Sequence, residues 1–339
     1  MSITRFSQKI IALSAIGTLL LSGCIAGESE ATSPADSGSE TLTIDFATYN
    51  PLSLVIKEKG WLEEELTDVE VTWVQSAGSN KANEGLRSET LDIGSTAGSA
   101  ALLNRANGTP IKTISLYSQP EWAALVVGPD SQITEISDLE GKTVAATKGT
   151  DPYFFLVQAL AEAGLEPTDV EVQNLQHADG AAALKNGSVD AWSGLDPITA
   201  GVEKDWDAEL FYRNIDFNTW GFLNAREAFL EDQPELAQAV VDAYEHARQW
   251  ADENPDELAE ILADYAGLEL DVAELVLERT GLDIDPVPGG IQREVLEVVG
   301  PIFIETGDVG DQATIDAAID KLFDPAFASQ ANSDRYEDQ

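Results

Sequence analysis

Residues 136–197 read ISDLEGKTVAATKGTDPYFFLVQALAEAGLEPTDVEVQNLQHADGAAALKNGSVDAWSGLDP. Short apolar strands and an amphipathic helix alternate in this stretch. The pattern predicts a strand at 143–147, a helix at 151–163, and further strands at 170–174 and 189–192. Alternation of this kind is typical of an α/β lobe built on a mainly parallel sheet.

The same alternation precedes this stretch, and helices follow it. Further strands are predicted at 42–48, 69–73, 91–93, 111–117, 123–127, 210–213 and 219–223. Helices are predicted at 234–251, 255–266, 271–279 and 292–303. Two α/β sets and a helical segment predict two lobes with a cleft at the carboxyl ends of their strands, where open α/β sheets bind ligands.

The predicted domain organisation places both chain connections between the lobes near 127–130 and 217–222. We expect lobe 1 at 41–127, lobe 2 at 128–218, a helical return to lobe 1 at 219–330, and a disordered tail at 331–339. A chain of 339 residues exceeds what one hydrophobic core usually holds, which favours two lobes.

The N-terminus has the features of a secretion signal. Arg5 and Lys9 precede an apolar run at 10–21, which is too short to span a bilayer. The run ends in Leu21-Ser22-Gly23-Cys24, and Cys24 is the only cysteine. This ending resembles the lipobox of bacterial lipoproteins, in which the cysteine becomes the lipid-modified first residue.

The lipobox implies that residues 1–23 are a signal peptide and that Cys24 carries a lipid anchor. Residues 24–40 are small, polar and acidic, which predicts a flexible tether. We therefore expect an extracytoplasmic protein, attached to the membrane by its lipid alone.

The charge balance limits the possible partners. The chain carries 61 acidic and 19 basic residues, a net charge of −42. Such a surface repels nucleic acid and anionic lipid headgroups, so neither is expected as a partner. Two histidines and one cysteine are too few for a zinc site, and no cofactor is expected.

Two fragments imitate catalytic motifs but lack necessary parts. Gly141-Lys142-Thr143 ends like a phosphate-binding P-loop, but Ile136 stands where the loop needs its first glycine. Residues 94–98 have the spacing of a nucleophile elbow with threonine in the central place, and only His177 and His246 could serve as the base. We therefore expect no enzymatic activity.

Four turns between a strand and a helix are rich in hydroxyl groups and glycine. They are Thr48–Pro51, Ser76–Ser79, Gly94–Gly98 and Lys148–Asp151. Free N–H groups and the helix dipole make such turns suitable for binding anions, although ordinary helix capping explains any one of them. The predicted ligand contacts from these turns are Tyr49, Asn50, Ser76, Gly78, Ser79, Ser95, Thr96, Gly149, Thr150 and Asp151.

The stretch from Ile136 to Pro197 resembles the second-lobe core of the aliphatic-sulfonate, taurine and nitrate binding proteins of ABC importers. The segments that carry the resemblance are Asp138-Leu139-Glu140-Gly141-Lys142, Lys148-Gly149-Thr150, Ala163-Gly164-Leu165, Asn186-Gly187-Ser188-Val189-Asp190-Ala191-Trp192 and Asp196-Pro197. A looser match runs from Glu84 to Gly94. The resemblance implies a Venus-flytrap fold that holds a small molecule between its lobes and presents it to a permease with a cytoplasmic ATPase. We expect a monomer, with Asp196 among the ligand contacts.

Two features bear on the ligand. Asp151 stands where sulfonate binders tend to have a small or uncharged residue, so it either pairs with an amino group in the cleft or only caps its helix. Trp122 and Trp192 lie near predicted strand ends, where they either wall the ligand or pack in a core.

The first candidate ligand is an aliphatic sulfonate such as taurine. The alternatives are nitrate or bicarbonate, and a pyrimidine precursor of thiamine. A lipoprotein sensor without transport is a more remote alternative. A relative of this fold makes thiamine pyrimidine, but that chemistry wants an active-site histidine and a cysteine-rich segment.

Overall fold

The computed structural model describes residues 40–337, in which strands and helices alternate as far as Arg226 and helices dominate afterwards. The strands are β1 (Glu40–Phe46), β2 (Val69–Gln75), β3 (Ile93–Ala97), β4 (Ile111–Pro120), β5 (Ala123–Val127), β6 (Thr143–Ala146), β7 (Glu171–Asn174), β8 (Ala191–Leu195), β9 (Glu209–Tyr212), β10 (Gly221–Arg226) and β11 (Thr280–Gly281). The helices are α1 (Pro51–Lys59), α2 (Trp61–Glu65), α3 (Ser79–Arg87), α4 (Gly98–Ala106), α5 (Asp151–Glu162), α6 (His177–Lys185), α7 (Ile198–Trp206), α8 (Glu227–Asp232), α9 (Pro234–Glu253), α10 (Pro255–Ala266), α11 (Leu270–Glu278), α12 (Gly290–Glu305), α13 (Gln312–Leu322) and α14 (Ala326–Ser329).

The strands form two separate sheets. The first sheet has the order β11-β4-β10-β3-β1-β2, and the second has the order β7-β6-β8-β5-β9. In the first, β1 is parallel to β2 and β3, whereas β10 is antiparallel to its neighbours. In the second, β6 is parallel to β7 and β8, and β5 is antiparallel to β8 and β9. The prediction of a two-lobe α/β fold is therefore confirmed.

The predicted boundary at 127 is wrong, because β5 belongs to the second lobe. Ala123 pairs with Leu195 of β8, and Leu125 pairs with Tyr212 of β9. The chain thus leaves the first lobe directly after Pro120, the last residue of β4. The all-apolar run of β5 is buried throughout, so its sequence does not tell which sheet it joins.

The return segment packs on the first lobe, and two of its helices also reach the second. Helix α9 packs on α1, while α12 and α13 pack on α4. Buried Tyr244 accepts a hydrogen bond from Asn50, the residue before α1. The ring of Phe303 in α12 lies 4.7 Å from the ring of Phe154 in α5 of the second lobe, and α11 packs against α7 of the same lobe. The return segment therefore links the two lobes as well as completing the first.

The predicted disordered tail is wrong for residues 333–336, which form a 3-10 turn. Tyr336 is buried, and its hydroxyl donates to Ala239 O at 2.9 Å. Arg335 in the same turn pairs with Glu65 and Asp242. The residues around Tyr336 are polar, so the sequence gives no pattern that predicts the burial of this one aromatic side chain.

The predicted signal peptide and Cys24 lie outside the described residues, as does the tether up to residue 39. Within residues 40–337, none of the helices combines the length and the apolarity needed to cross a bilayer.

Candidate functional site

A small cavity lies at the seam between the two lobes, and with the lobes in this arrangement it has no room for a water molecule. Its walls come from the first lobe, the second lobe and the connection at Trp122. The lining residues are Tyr49, Ser79, Ala97, Trp122, Thr150, Asp151, Pro152 and Leu195. They lie at or after the carboxyl ends of β1, β2, β3, β6 and β8, or precede β5, which is the edge where α/β sheets place ligands.

Asp151 is the centre of the hydrogen bonds at this seam. Its carboxylate accepts from Ser99 Oγ at 2.5 Å, from Trp122 Nε1 at 2.9 Å, and from both Thr219 N and Thr219 Oγ1 at 2.7 Å. Burial raises the pKa of Asp151, and these hydrogen bonds oppose the rise. Asp151 begins α5 in the second lobe, Ser99 belongs to α4 in the first, and Trp122 and Thr219 lie on the two connections. The side chain therefore faces the cleft and bridges the lobes.

Two aromatic rings form one wall of the cavity. The rings of Tyr49 and Trp122 are 6.1 Å apart at 86°, an edge-to-face arrangement that aromatic pairs favour. The Tyr49 hydroxyl donates to Ser95 O at 2.9 Å, which fixes the ring. This wall is apolar except for the Tyr49 hydroxyl and the indole N–H of Trp122, which points at Asp151.

The lobes also meet closely at Gly78. A β-carbon on Gly78 would lie 2.8 Å from Nε2 of His177, on the opposite lobe. Thr147 Oγ1 donates to Leu175 O at 2.7 Å and lies 3.2 Å from His177 Nδ1, so Nδ1 carries the proton and Nε2 is the acceptor. Burial lowers the pKa of His177 to about 4, which keeps the ring neutral. His177 Nε2 and Asn80 Oδ1 are buried without hydrogen-bond partners.

Three of the predicted ligand contacts serve the interior of the first lobe instead. Ser95 donates to Asp45 from its backbone N at 2.8 Å and from its Oγ at 3.0 Å, and Ser76 also bonds to Asp45. Thr96 Oγ1 accepts from Asn224 Nδ2 at 2.8 Å. Burial raises the pKa of Asp45 to about 7, against these hydrogen bonds. The side chains of Ser76, Ser95 and Thr96 therefore form hydrogen bonds inside the first lobe and do not line the cavity.

Asn50 and Gly149 have local structural roles. Asn50 caps α1, since its Oδ1 accepts from Ser53 N, and its Nδ2 donates to the Tyr244 hydroxyl at 2.9 Å. Gly149 has φ +78° in the turn that precedes α5, a conformation that favours glycine. Neither residue lines the cavity.

The structure places Trp192 and Asp196 away from the cavity. Trp192 is fully buried in the core of the second lobe, with its indole nitrogen against Gly180. Asp196 accepts from Thr199 Oγ1 and from Ala200 N, and so caps the start of α7. Of the two predicted tryptophans, Trp122 thus reaches the seam and Trp192 does not.

Sequence reasoning missed Ser99, Thr219 and Arg279. Ser99 directly follows the glycine-rich turn 94–98, and Thr219 lies within the predicted connection at 217–222. Their positions were therefore visible, but their pairing with Asp151 was not. Arg279 directly follows α11, and its Nη1 lies 3.6 Å from Asp196 Oδ2. Nothing in its local sequence marks this contact.

Comparison with known proteins identifies the family. Residues 51–258 match the family described as NMT1/THI5 like. A Bacillus subtilis (strain 168) protein named for binding aliphatic sulfonates is 32% identical over 69% of this chain and 71% of its own length. The taurine-binding periplasmic protein of Escherichia coli (strain K12) is 28% identical over 68% of this chain and 73% of its own length.

The fold is shared with a solved structure. The alkanesulfonate-binding protein SsuA from Xanthomonas axonopodis pv. citri, bound to MOPS, has a TM-score of 0.74 at 21% identity. The match covers 82% of this chain and 97% of that chain. The predicted resemblance to sulfonate-binding proteins is confirmed, and the chain belongs to the NMT1/THI5-like family.

Proposed function

We propose that this protein is the extracytoplasmic solute-binding component of an ABC importer. It captures a small organic anion or zwitterion between its lobes and delivers it to a permease served by a cytoplasmic ATPase. The observation that carries the proposal is the convergence of both lobes and both connections on one carboxylate, Asp151, beside the Tyr49–Trp122 wall. The names of the relatives support a binding role without a reaction.

The first candidate ligand is an aliphatic sulfonate such as taurine, because two of the relatives are named for such solutes. Nitrate, bicarbonate and a pyrimidine are the alternatives, and the Tyr49–Trp122 wall would matter most for the pyrimidine.

Capture works by lobe closure. A solute at the seam touches both lobes only when they are closed, so its binding shifts the equilibrium toward the closed state. The contacts Ser99–Asp151 and Gly78–His177 exist only when the lobes meet. Closure thus brings the walls of the cavity together around the ligand.

Lipid attachment at Cys24 is part of the proposal. Removal of residues 1–23 would leave Cys24 as the lipid-modified first residue and residues 25–39 as the tether. The protein would then act as an anchored monomer outside the cytoplasmic membrane.

Thermal unfolding of residues 25–339 tests the binding role, since this form contains the whole compact unit Ser39–Gln339. The protein is unfolded and refolded to remove bound solute, then screened with taurine, alkanesulfonates, nitrate, bicarbonate and pyrimidines. A ligand at a hundred times its Kd stabilises the native state by about 2.7 kcal/mol. A rise in the unfolding temperature with one of these classes of solute supports the proposal, and the class that causes the rise identifies the kind of ligand.

A matched pair of variants locates the binding. Trp122→Ala removes a cavity wall and is expected to abolish the shift. Trp73→Ala changes a half-buried ring on β2 whose indole donates to Glu63, and it should keep the shift. Absence of any shift in wild type, or a shift that survives in Trp122→Ala, would contradict the proposal.

A further inference from the structure

The carboxylate of Asp151 receives all of its hydrogen bonds from the protein itself. Its Oδ1 accepts from the hydroxyls of Ser99 and Thr219. Its Oδ2 accepts from the indole N–H of Trp122 and from the backbone N–H of Thr219. Each oxygen thus accepts two bonds, which is about the capacity of a carboxylate. With the lobes closed, the donors of the seam and this acceptor satisfy one another.

We infer that the hydrogen bond from Ser99 to Asp151 is an internal latch, which holds the lobes closed in the solute-free protein and which must open before a solute can bind at the seam. Ser99 belongs to α4 of the first lobe and Asp151 to α5 of the second, so this bond breaks when the lobes separate. The role given to the solute rests on the proposed function, whereas the latch itself does not.

The latch is joined to one of the connections between the lobes. The Thr219 hydroxyl accepts from the backbone N–H of Ser99 at 3.1 Å and donates to Asp151 at 2.7 Å. Thr219 therefore contacts both partners of the latch and fixes their positions relative to the connection. The three residues form one buried network at the seam.

An apolar contact between the lobes lies one helical turn from the latch. Phe154 follows Asp151 by three positions, so both side chains lie on the same face of α5. The ring of Phe154 lies 4.7 Å from the ring of Phe303 in α12, edge to face, and both rings are buried. Since α12 packs on α4, the polar latch and this apolar contact stabilise the same closed arrangement.

The latch is strong enough to affect the balance between open and closed lobes. A hydrogen bond to a charged group changes an equilibrium constant by about ten- to a hundredfold. Asp151 is buried, and the seam has no room for a water molecule that could replace Ser99 as the donor. A solute binds only the fraction of molecules whose latch is open, so the latch lowers its apparent affinity by that fraction.

His177 provides a readout of lobe opening that is separate from the latch. Its Nε2 is buried against Gly78 of the first lobe, 2.8 Å from where a β-carbon of that glycine would lie. Separation of the lobes therefore exposes this nitrogen. Diethyl pyrocarbonate acylates accessible neutral imidazole rings, and the partly exposed His246, the only other histidine of the chain, is the internal reference. Mass spectrometry measures both rates on residues 25–339, refolded without solute.

Two latch variants are compared with wild type. Asp151→Ala removes the acceptor, and Ser99→Ala removes the hydroxyl while Asp151 stays in place. Asp311→Ala is the matched control, because Asp311 also stands at the start of a helix but accepts from Thr314 of that same helix. We expect the rate at His177, relative to His246, to rise at least about tenfold in both latch variants and to stay at the wild-type value in Asp311→Ala.

Equal relative rates at His177 in wild type and in either latch variant would overturn the inference. A rise of the same size in Asp311→Ala would also overturn it, because loss of any helix cap would then have the same effect. A variant that does not fold is recognised by the ratio of the two rates in urea-unfolded wild type, and the other latch variant then decides.

The experiment contains no solute, so its outcome is independent of the solute screen. If the latch variants react like wild type, the latch fails and the binding role is unaffected. If no solute of the screen binds, the proposed function fails, while a faster reaction at His177 in the latch variants still supports the latch.

Discussion

Arg279 Nη2 lies 2.6 Å from Glu203 Oε2 and thereby joins the return segment to α7 of the second lobe. The guanidinium is almost buried, with 8% of the side chain exposed, whereas the Glu203 side chain is 36% exposed. Arg279 Nη1 also faces the buried carboxylate of Asp196. The two ion pairs of this one arginine therefore differ in burial.

We predict that Arg279→Ala lowers the free energy of unfolding by about 3–5 kcal/mol, because it leaves the Asp196 charge buried without its partner. Glu203→Ala removes only the partly exposed pair and should cost less than about 1 kcal/mol. Urea unfolding of both variants measures the difference. Equal losses of the free energy of unfolding in the two variants would show that the Arg279–Asp196 pair adds nothing beyond the Arg279–Glu203 pair.

Gly78 limits how closely the lobes approach. Its backbone is extended, with φ 161°, so a side chain there is opposed by His177 and not by backbone strain. We predict that Gly78→Val weakens solute binding at least about tenfold while changing the free energy of unfolding by less than about 1 kcal/mol. Gly289→Ala is the control, since a β-carbon there meets no atom within 4 Å. Unchanged affinity in Gly78→Val, measured by calorimetric titration, would contradict closure at this point.

Two buried groups give the stability opposite dependences on pH. Burial raises the pKa of Asp45 from 3.8 to about 7. Between these two values the folded state keeps a proton that the unfolded chain has lost. The contribution of Asp45 to the free energy of unfolding therefore declines as pH rises from 4 to 7. Burial lowers the pKa of His177 from 6.5 to about 4. Between these two values the unfolded chain binds a proton that the folded state does not. The contribution of His177 to the free energy of unfolding therefore declines as pH falls from 6.5 to 4.

We therefore predict that Asp45→Asn gains stability relative to wild type as pH rises from 4 to 7, by up to about 4 kcal/mol. His177→Gln should gain stability relative to wild type as pH falls from 6.5 to 4, by up to about 3 kcal/mol. Urea unfolding at several pH values measures both slopes. If the free energies of unfolding of wild type and the two variants ran parallel with pH, the pKa shifts of Asp45 and His177 would be refuted.

Lipid attachment predicts where the protein is found in the cell. Cys24→Ser removes the only thiol and should move the mature protein from the membrane fraction to the soluble extracytoplasmic fraction. Cell fractionation followed by mass spectrometry of the N-terminus measures this. Membrane retention of Cys24→Ser, with an unmodified N-terminus in wild type, would contradict the anchor.

Local pattern was sufficient for the fold but only for part of the site. Alternating strands and helices reveal both lobes, because each element carries its own periodicity. The lobe of β5 could not be predicted, since its continuous apolar run fits either sheet. Asp151 was visible as an unusual charge, but its donors lie 52 and 68 positions away along the chain for Ser99 and Thr219. Only the folded topology brings them together.

The two tryptophans illustrate the same limit. Trp122 directly precedes β5 at the connection between lobes, whereas Trp192 lies inside β8 and packs into the second-lobe core. Both lie near the ends of predicted strands. The side of a sheet that each ring faces depends on strand pairing, which the sequence alone does not show.

Calorimetric titration of the refolded, solute-free protein with taurine tests the central claim most directly. The account predicts saturable binding of one taurine per chain in wild type, and loss of that binding in Trp122→Ala. Binding that is unchanged in Trp122→Ala, or no binding of taurine or of any other solute in the screen, would contradict capture at the seam between the lobes.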